Sequence, residues 1–246
     1  SLLASERKPD DVVVVDNDAF SGAFRDSVRQ IDPAVVCLHT GRNLGFSGGV
    51  NVGVRFALER GADAVFLINS DAVIPPDCLE QLETALLHSA TSGIVGPVVA
   101  DSAGRTVSSR GIAYRASTGR MRLLCSGHAV DTDTPAGFAD RTVVDAVSGC
   151  AMFVRRAVFE AIGLFDEDYF FGFEDIDFCL RARHAGSRDG RLERVEIADD
   201  EVDLADRMLR EVGAIALEVA AGEDAAVDLR MERLDPAAQH LGTLRE

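Results

Sequence analysis

The stretch VVVVDND at residues 12–18 decides the fold class of this 246-residue chain. Four successive valines predict a strand that is buried on both faces, as in a parallel sheet covered by helices. Asp16, Asn17 and Asp18 follow at once, so the strand delivers polar side chains at its carboxyl end. Ligands of open α/β sheets bind at that edge. The stretch therefore predicts an α/β fold with a ligand site next to residue 16.

The pattern recurs through the first part of the chain. Apolar stretches at residues 34–39 and 64–68 flank residues 48–60, whose apolar side chains have helical spacing. The second of these strands also ends in polar residues, namely Asn69, Ser70 and Asp71. Strand–helix–strand order predicts neighbouring, mainly parallel strands, which places Asp16 and Asp71 on the same edge of one sheet.

In the remainder of the chain, weaker hydrophobic patterns predict the secondary structure. The periodicity predicts helices at 78–88, 157–162 and 174–184, and strands at 94–100, 143–147 and 151–154. Residues 101–140 predict short strands or loops over a substrate site. After residue 190 the composition becomes acidic and alanine-rich, so we divide the chain into a domain at 1–190 and a mainly helical extension at 191–246. Apolar residues at three- and four-residue steps predict an amphipathic helix over 202–219.

Composition limits the classes of partner. The chain has 41 acidic residues against 25 lysines and arginines, and its net charge of -16 opposes binding to nucleic acid. No apolar run is long enough to span a bilayer and the amino terminus lacks a signal-peptide pattern, which predicts a cytoplasmic protein, either free or peripheral to the inner membrane face. The five cysteines form no CxxC pair, so neither disulfides nor structural zinc are expected.

Three segments carry the candidate chemistry, and the first is the pair of acidic strand ends. A diphosphate needs a cation to neutralise it, and a hard oxygen ligand such as Asp71 suits Mg²⁺ or Mn²⁺. Turn capping explains a single strand-end aspartate at least as well. Two such ends in one chain favour a ligand site.

The second segment is GRNLGFSGGVNVGV at residues 41–54. Its glycines let backbone N–H groups approach an anionic or ribose-bearing ligand, and Arg42 and Asn43 add donors. Plain loop geometry accounts for such glycines equally well, so this segment supports a ligand site only in combination with the other two segments.

The third segment is FDEDYFFGFEDIDFCLRARHAG at residues 165–186. Glu174, Asp175 and Asp177 crowd the first turn of a predicted helix, behind the aromatic side chains of residues 169–173. The positive end of a helix dipole explains one acidic residue there, but not the aromatic cluster. Carboxylates beside apolar rings can have a raised pKa and act as general bases, and flat rings suit the apolar faces of sugars.

These motifs, in this order, resemble the bacterial family 2 glycosyltransferases, in particular their rhamnosyltransferase-like branch. The resemblance runs through residues 11–186. It implies a GT-A fold, that is, a Rossmann-like, mainly parallel sheet flanked by helices. It also implies transfer of a hexosyl group, rhamnose among the candidates, from a nucleotide-diphosphate donor to an acceptor hydroxyl with inversion. UDP-, dTDP- and GDP-sugars stay open as donors, as do glycans, lipid-linked sugars and natural products as acceptors.

The resemblance also implies residue roles. Asp16 would contact the nucleotide base. Asp71 would bind the divalent metal, Mg²⁺ or Mn²⁺, as part of a replacement for the family's DxD motif. Asp175 would be the general base, with Glu174 beside it at the acceptor pocket. The other residues implied at the nucleotide site are Asn17, Arg42, Asn43, Gly45, Gly48, Gly49, Asn69 and Ser70.

Two departures from the family pattern leave another reading open. The family's first strand has no counterpart before the opening SLLASERKP, and no histidine lies between Gly186 and His240 to act near the metal. RLERVEIA, residues 191–198, is the expected substitute edge strand. The second reading is a catalytically impaired donor-binding or assembly module, whose helix over 202–219 packs on the domain or forms a homodimer. A phosphatase of the haloacid dehalogenase type is a further alternative, suggested by the Asp-x-Asp pair at residues 16–18. Such enzymes need a lysine after the nucleophilic aspartate, and Lys8, the only lysine, precedes Asp16.

Overall fold

The computed structural model describes residues 1–18, 23–87, 89, 91–101, 105–129, 141–189, 194–198 and 214–220. Its helices are α1 (Ala23–Ile31), α2 (Gly45–Glu59), α3 (Cys78–Leu87), α4 (Arg156–Ile162) and α5 (Glu174–Asp189). Its strands are β1 (Asp11–Asp16), β2 (Val36–His39), β3 (Ala64–Asn69), β4 (Ser92–Pro97), β5 (Val99–Ala100), β6 (Val107–Ser109), β7 (Ile112–Arg115), β8 (Arg120–Leu123), β9 (Arg141–Val144), β10 (Ala151–Arg155), β11 (Arg194–Ala198) and β12 (Ala214–Ala220).

Within these ranges, one mixed sheet has the strand order β2-β1-β12-β3-β10-β4-β11-β9. The first four of these strands are parallel to one another. β10 runs antiparallel between β3 and β4, and β9 pairs antiparallel with β11 at the end of the order. The ribbons β5–β6 and β7–β8 are separate two-stranded sheets.

Alternation along the strands builds a core on each face of the large sheet. Val13, Val15 and Leu67 pack with side chains from α2, α4 and α5. Phe66 and Ile68 point the other way and pack with α3. Strands buried on both faces explain why the apolar runs of β1 and β3 are continuous rather than alternating. The result is the expected α/β sheet between helical layers.

The expected strand neighbours need one correction. β1 and β2 are adjacent and parallel, but β12 lies between β1 and β3. Asp11 to Asp16 pair with Ile215 to Ala220, and Ala214 to Val219 pair with Ala64 to Asn69. The carboxyl ends of β1 and β3 therefore lie at one edge, as expected, with another strand between them.

Two predictions for the carboxyl-terminal part were wrong. The helix predicted over 202–219 is a strand from residue 214, so the apolar residues Ile215, Ala216 and Val219 belong to the sheet rather than to a helical packing or dimer surface. Residues 202–213 lie outside the described ranges. β11 is a strand, as expected, but it lies between β4 and β9 instead of at the edge.

All five cysteines are free thiols. In the ranges described, no helix has the length and hydropathy that a bilayer crossing requires.

Candidate active site

Asp16 and Asn69 define the edge of the sheet where the candidate site lies. They occupy the last positions of β1 and β3, and β12 pairs with both in nearly level register. The Asp16 side chain is buried, and its carbonyl accepts a hydrogen bond from the Thr40 N–H at 3.1 Å. His39 Nδ1 lies 3.3 Å from Asp16 Oδ2, at ion-pair distance but without hydrogen-bond alignment.

Asn17 fastens the glycine-containing turn to this edge. Its Nδ2 donates to the Gly45 carbonyl at 2.8 Å, and its Oδ1 accepts from the Leu44 N–H at 3.0 Å. Asn43 supports the same turn because its Oδ1 accepts from the Gly45 N–H at 2.8 Å. The buried amide of Asn17 is thus used within the protein and shapes the turn.

Gly45 brings the turn against the aromatic segment. It has φ +72°, and a Cβ at this position would lie 2.3 Å from the Phe170 carbonyl oxygen. The Phe46 N–H donates to that same oxygen at 2.8 Å. Only glycine has both the backbone freedom and the small size for this approach. The second and third sequence motifs are therefore in direct contact.

Asp175 lies on the other side of this contact, in the first turn of α5. Its Oδ2 accepts from the Gly149 N–H at 2.9 Å, and its Oδ1 accepts from the Ile176 N–H at 2.7 Å. Burial raises the pKa of the Asp175 carboxyl above its ordinary range, and these backbone donors oppose the rise. A hydrogen-bonded carboxylate oxygen keeps a free lone pair, so Asp175 can still accept a proton.

Gly149 is where the motifs meet. A Cβ there would lie 3.3 Å from the Phe46 ring and 3.4 Å from the Asp175 Cβ. The next residue, Cys150, accepts the Asn69 N–H through its carbonyl at 2.9 Å. The turn before α2, the end of β3 and the start of α5 therefore surround one short segment of chain.

Glu174 is the second carboxylate at the start of α5. It is 7% exposed, and its Oε2 has no hydrogen-bond partner among the described residues. Burial raises its pKa, and the neighbouring Asp175 charge adds to the rise. Phe173, just before the helix, has φ +70°, a conformation that costs a bulky residue free energy. Unfavourable burial and backbone strain at one point are typical of functional sites.

Exposed aromatic residues directly precede these carboxylates in the chain. Phe170, Phe171 and Phe173 are each more than half exposed, and Tyr169 is also exposed. Exposed rings beside a buried carboxylate form a surface that suits the apolar face of a sugar.

Asp71 is the candidate metal ligand and lies just beyond β3. It is exposed and follows Asn69, whose N–H donates to the Cys150 carbonyl, by two residues. Burial raises the pKa of the Cys150 thiol, and the Asp71 charge adds to the rise. Within the described ranges, no cluster of three acidic, histidine or cysteine residues could hold a metal by itself. A single exposed carboxylate fits the way Mg²⁺ is bound when substrate phosphates and water supply most of its ligands.

The remaining predicted residues lie around this edge with different exposures. Arg42 and Ser70 are exposed, while Gly48 and Gly49 are buried inside the first turns of α2. The sequence motifs predict no site role for Thr40 or Gly149. For Cys150, within VSGCAMF, they favour a core thiol over an active-site thiol. Thr40 donates its hydroxyl to the Arg42 carbonyl at 2.7 Å. Gly149 and Cys150 act through backbone groups, which the residue types do not reveal. The only signal was the position of SGC directly before a buried strand.

Comparison with solved structures defines the class of fold. The chain is similar to GalNAc-T7 with UDP, GalNAc and Mn²⁺, with a TM-score of 0.53 and 12% identity over 78% of this chain and 38% of that one. It is also similar to S. aureus TarS 1–349, with a TM-score of 0.53 and 18% identity over 82% of this chain and 52% of that one. These likenesses show the GT-A fold.

Sequence comparison gives the family. The model of "Glycosyl transferase family 2" matches residues 1–163, so the chain belongs to that family. It is 30% identical over 190 residues to the low-salt glycan biosynthesis hexosyltransferase Agl10 of Haloferax volcanii, which covers 75% of this chain and 57% of that protein. It is 30% identical over 207 residues to an N-acetylglucosaminyl-diphospho-decaprenol L-rhamnosyltransferase of Mycobacterium tuberculosis, which covers 76% and 65%.

A third relative is the dTDP-rhamnosyl transferase RfbF of Shigella flexneri, with 29% identity over 176 residues, 71% of this chain and 54% of that protein. The chain thus spans between about half and two thirds of the length of these curated relatives.

Proposed function

We propose that this chain is the catalytic domain of an inverting glycosyltransferase that moves a hexosyl group from a nucleotide-diphosphate sugar to an acceptor hydroxyl. The proposal rests mainly on the contacts of the segment at Gly149. The Gly149 N–H donates to Asp175, and the carbonyl of the next residue accepts the N–H at the end of β3, two residues before Asp71. Phe46, which follows the glycine turn, lies beside Gly149. Donor-binding groups and a proton acceptor are thereby held around one point. The names of the relatives favour rhamnose as the donor sugar.

In this proposal Asp175 removes the proton from the acceptor hydroxyl. The freed oxygen lone pair forms the bond to the anomeric carbon as the bond to the nucleotide diphosphate breaks. A buried carboxylate with a raised pKa is a stronger base than an exposed one and therefore suits this role. One displacement at the anomeric carbon inverts it.

The nucleotide end is assigned to the edge formed by β1, β2 and β3. Asp16 is assigned to the base, and the turn held by Asn17 supplies backbone and Arg42 donors to the nucleotide. Asp71 is the residue that would hold Mg²⁺ or Mn²⁺. Such an ion would neutralise the charge that develops on the departing diphosphate.

Asp175→Asn tests the proposal, with Asp177→Asn as a matched control in the same helical turn. Asn keeps the shape but cannot take the proton, so transfer should fall by roughly 100-fold or more while donor affinity changes little. Asp177 pairs with Arg181 at 2.8 Å and should tolerate the change. Transfer is measured with dTDP-, UDP- and GDP-sugars in the presence of Mn²⁺, and donor affinity by calorimetry.

Near-parental transfer by Asp175→Asn would refute the assigned base, since Asn is about as good at a helix N-terminus as Asp. Donor binding without transfer by the parent chain would instead identify a binding module. Asp71→Ala gives a further check, because the donor should lose its metal-dependent thermal stabilisation of the protein while the fold is kept.

A further inference from the structure

The β7–β8 ribbon carries a concentration of positive charge in an acidic protein. Residues 102–130 contain five arginines and no acidic residue, whereas the whole chain has a net charge of -16. Three of these side chains, Arg115, Arg120 and Arg122, lie on the ribbon and are exposed. None of the three makes an ion pair with another residue of the described ranges.

The strand register puts these three side chains on one face. Arg115 pairs directly with Arg120, and Ala113 pairs with Arg122, so the three arginines share a side of the ribbon, called here the arginine face. Like charges directly opposite each other destabilise a two-stranded pairing. The ribbon therefore carries an electrostatic cost that an anionic partner would remove.

The opposite side of the ribbon is apolar. Ile112 is buried and Tyr114 packs on the core, while Met121 and Leu123 are each 41% exposed. Along β8, arginine and apolar residues thus alternate, and all four β8 residues are exposed. β8 pairs only with β7 among the strands described. Its open edge presents cationic side chains on one side and apolar ones on the other.

We propose that this ribbon docks by the open edge of β8 on the surface of an anionic phospholipid bilayer. The arginine face then reaches the headgroups from one side of the edge, and Met121 and Leu123 contact the interface from the other side. Cationic and apolar side chains combined in one exposed element are the requirement for interfacial binding. A ribbon exposed along a whole strand suits an extended surface rather than an enclosed small ligand. The acidic remainder of the chain is screened beyond about 8 Å at physiological ionic strength.

The ribbon contacts the segment that leads to the candidate active site, so docking of the ribbon would orient the site relative to the bilayer. Ile112 bridges to Ala146, three residues before Gly149, and the Tyr114 N–H donates to Asp145 Oδ2 at 2.8 Å. Docking would hold the Asp175 region close to the bilayer, where a lipid-linked acceptor would be found. That orientation rests on the proposed function, but the binding itself does not.

The test is cosedimentation of the full chain with phosphatidylcholine vesicles, with and without about 30 mol% phosphatidylglycerol. Arg115→Gln/Arg120→Gln is compared with Lys8→Gln/Arg29→Gln, which removes the same charge from exposed positions elsewhere. We expect the parent to bind only the anionic vesicles, the ribbon variant to bind at least about 10-fold more weakly, and the control variant to bind as the parent does. Arg115→Lys/Arg120→Lys should retain binding because the charge is kept.

Equal binding by the parent and the ribbon variant would overturn the proposal, as would equal losses in the two glutamine variants or no binding by the parent. Stronger capture of the parent by a single-stranded oligonucleotide than by anionic vesicles would overturn it in favour of nucleic acid. The melting temperature of each variant is measured alongside. Removing the Arg115–Arg120 repulsion should leave it unchanged or raise it.

Discussion

At the scale of single residues, Glu174 at the start of α5 should lower the stability of the protein when it is ionised. Glu174 is buried without a hydrogen-bond partner for Oε2 among the described residues, and its folded-state pKa is raised. Ionisation of Glu174 therefore lowers the free energy of unfolding as the pH rises from the unfolded-state pKa, about 4.3, to the raised folded-state pKa. Above the folded-state pKa the loss of stability is complete. Below the unfolded pKa the cost is absent because both states are protonated.

Glu174→Gln should therefore stabilise the protein at neutral pH, by about 1 kcal/mol or roughly 2–4 °C in melting temperature. Near pH 4 the variant and the parent should melt alike. Melting curves from pH 4 to 8 check this. A constant difference across that range would show that ionisation of Glu174 is not the cause.

Two glycines allow a controlled test of the contact between the glycine-containing turn and the aromatic segment. Gly41 and Gly45 have nearly the same positive φ, but a Cβ at Gly41 would meet nothing within 4 Å. Gly41→Ala should cost only the left-handed backbone penalty, about 1–2 kcal/mol. Gly45→Ala should cost more and weaken donor binding, because its Cβ would displace Phe170. Chemical denaturation and donor calorimetry measure the two effects; equal effects in the two variants would contradict the contact.

The described strands and helices could largely be predicted because apolar runs and helical periodicity record burial directly, as in residues 12–15 and 64–68. The Asp16 and Asp71 strand ends were predictable for the same reason. The contacts that assemble the site were not, since Gly149 and Gly45 act through backbone atoms distant in sequence. The sequence predicts a helix at β12 because AIALEVA fits both the helical and the strand period, and short apolar runs are ambiguous between the two.

At the scale of elements, a buried asparagine in α2 fixes the segment that leads to α5. Asn51 Nδ2 donates to the Phe165 carbonyl at 2.9 Å, and its Oδ1 accepts the Phe165 N–H at 3.0 Å. Its Nδ2 also donates to Glu167 Oε1 at 2.9 Å, and Arg55 contacts that oxygen at 3.1 Å from an exposed position. The buried amide, unlike the arginine, satisfies two backbone groups that have no access to water.

Asn51→Ala should therefore lower the free energy of unfolding by about 2–4 kcal/mol, because both Phe165 backbone groups would stay buried and unpaired. Arg55→Ala removes only an exposed ion pair and should cost less than about 1 kcal/mol. Urea denaturation of the two variants measures the difference. Similar costs would mean that Asn51 does not hold the segment.

At the scale of the whole molecule, β12 holds the two halves of the sheet together. β1 pairs with β2 on one side and β12 on the other, and β3 reaches β1 only through β12. Amides of β1 from Val13 onward and amides along β3 should therefore all exchange slowly, not only alternate ones. Leu217→Pro should remove this protection, since proline cannot serve a central strand. Hydrogen exchange resolved by residue tests both; alternating fast amides in the parent would contradict the pairing.

The central place of β12 also sets a delay in biosynthesis. β3 is complete at Asn69, yet the strand that joins it to β1 is made about 150 residues later. At ribosomal speeds of about 5–20 residues per second, the inner edges of β1 and β3 wait roughly 8–30 s for their partner. During that interval two apolar strands have open edges, which are templates for pairing with other chains. Slower elongation after residue 69 should therefore increase aggregation of the nascent protein, and a chaperone that covers strand edges should suppress it.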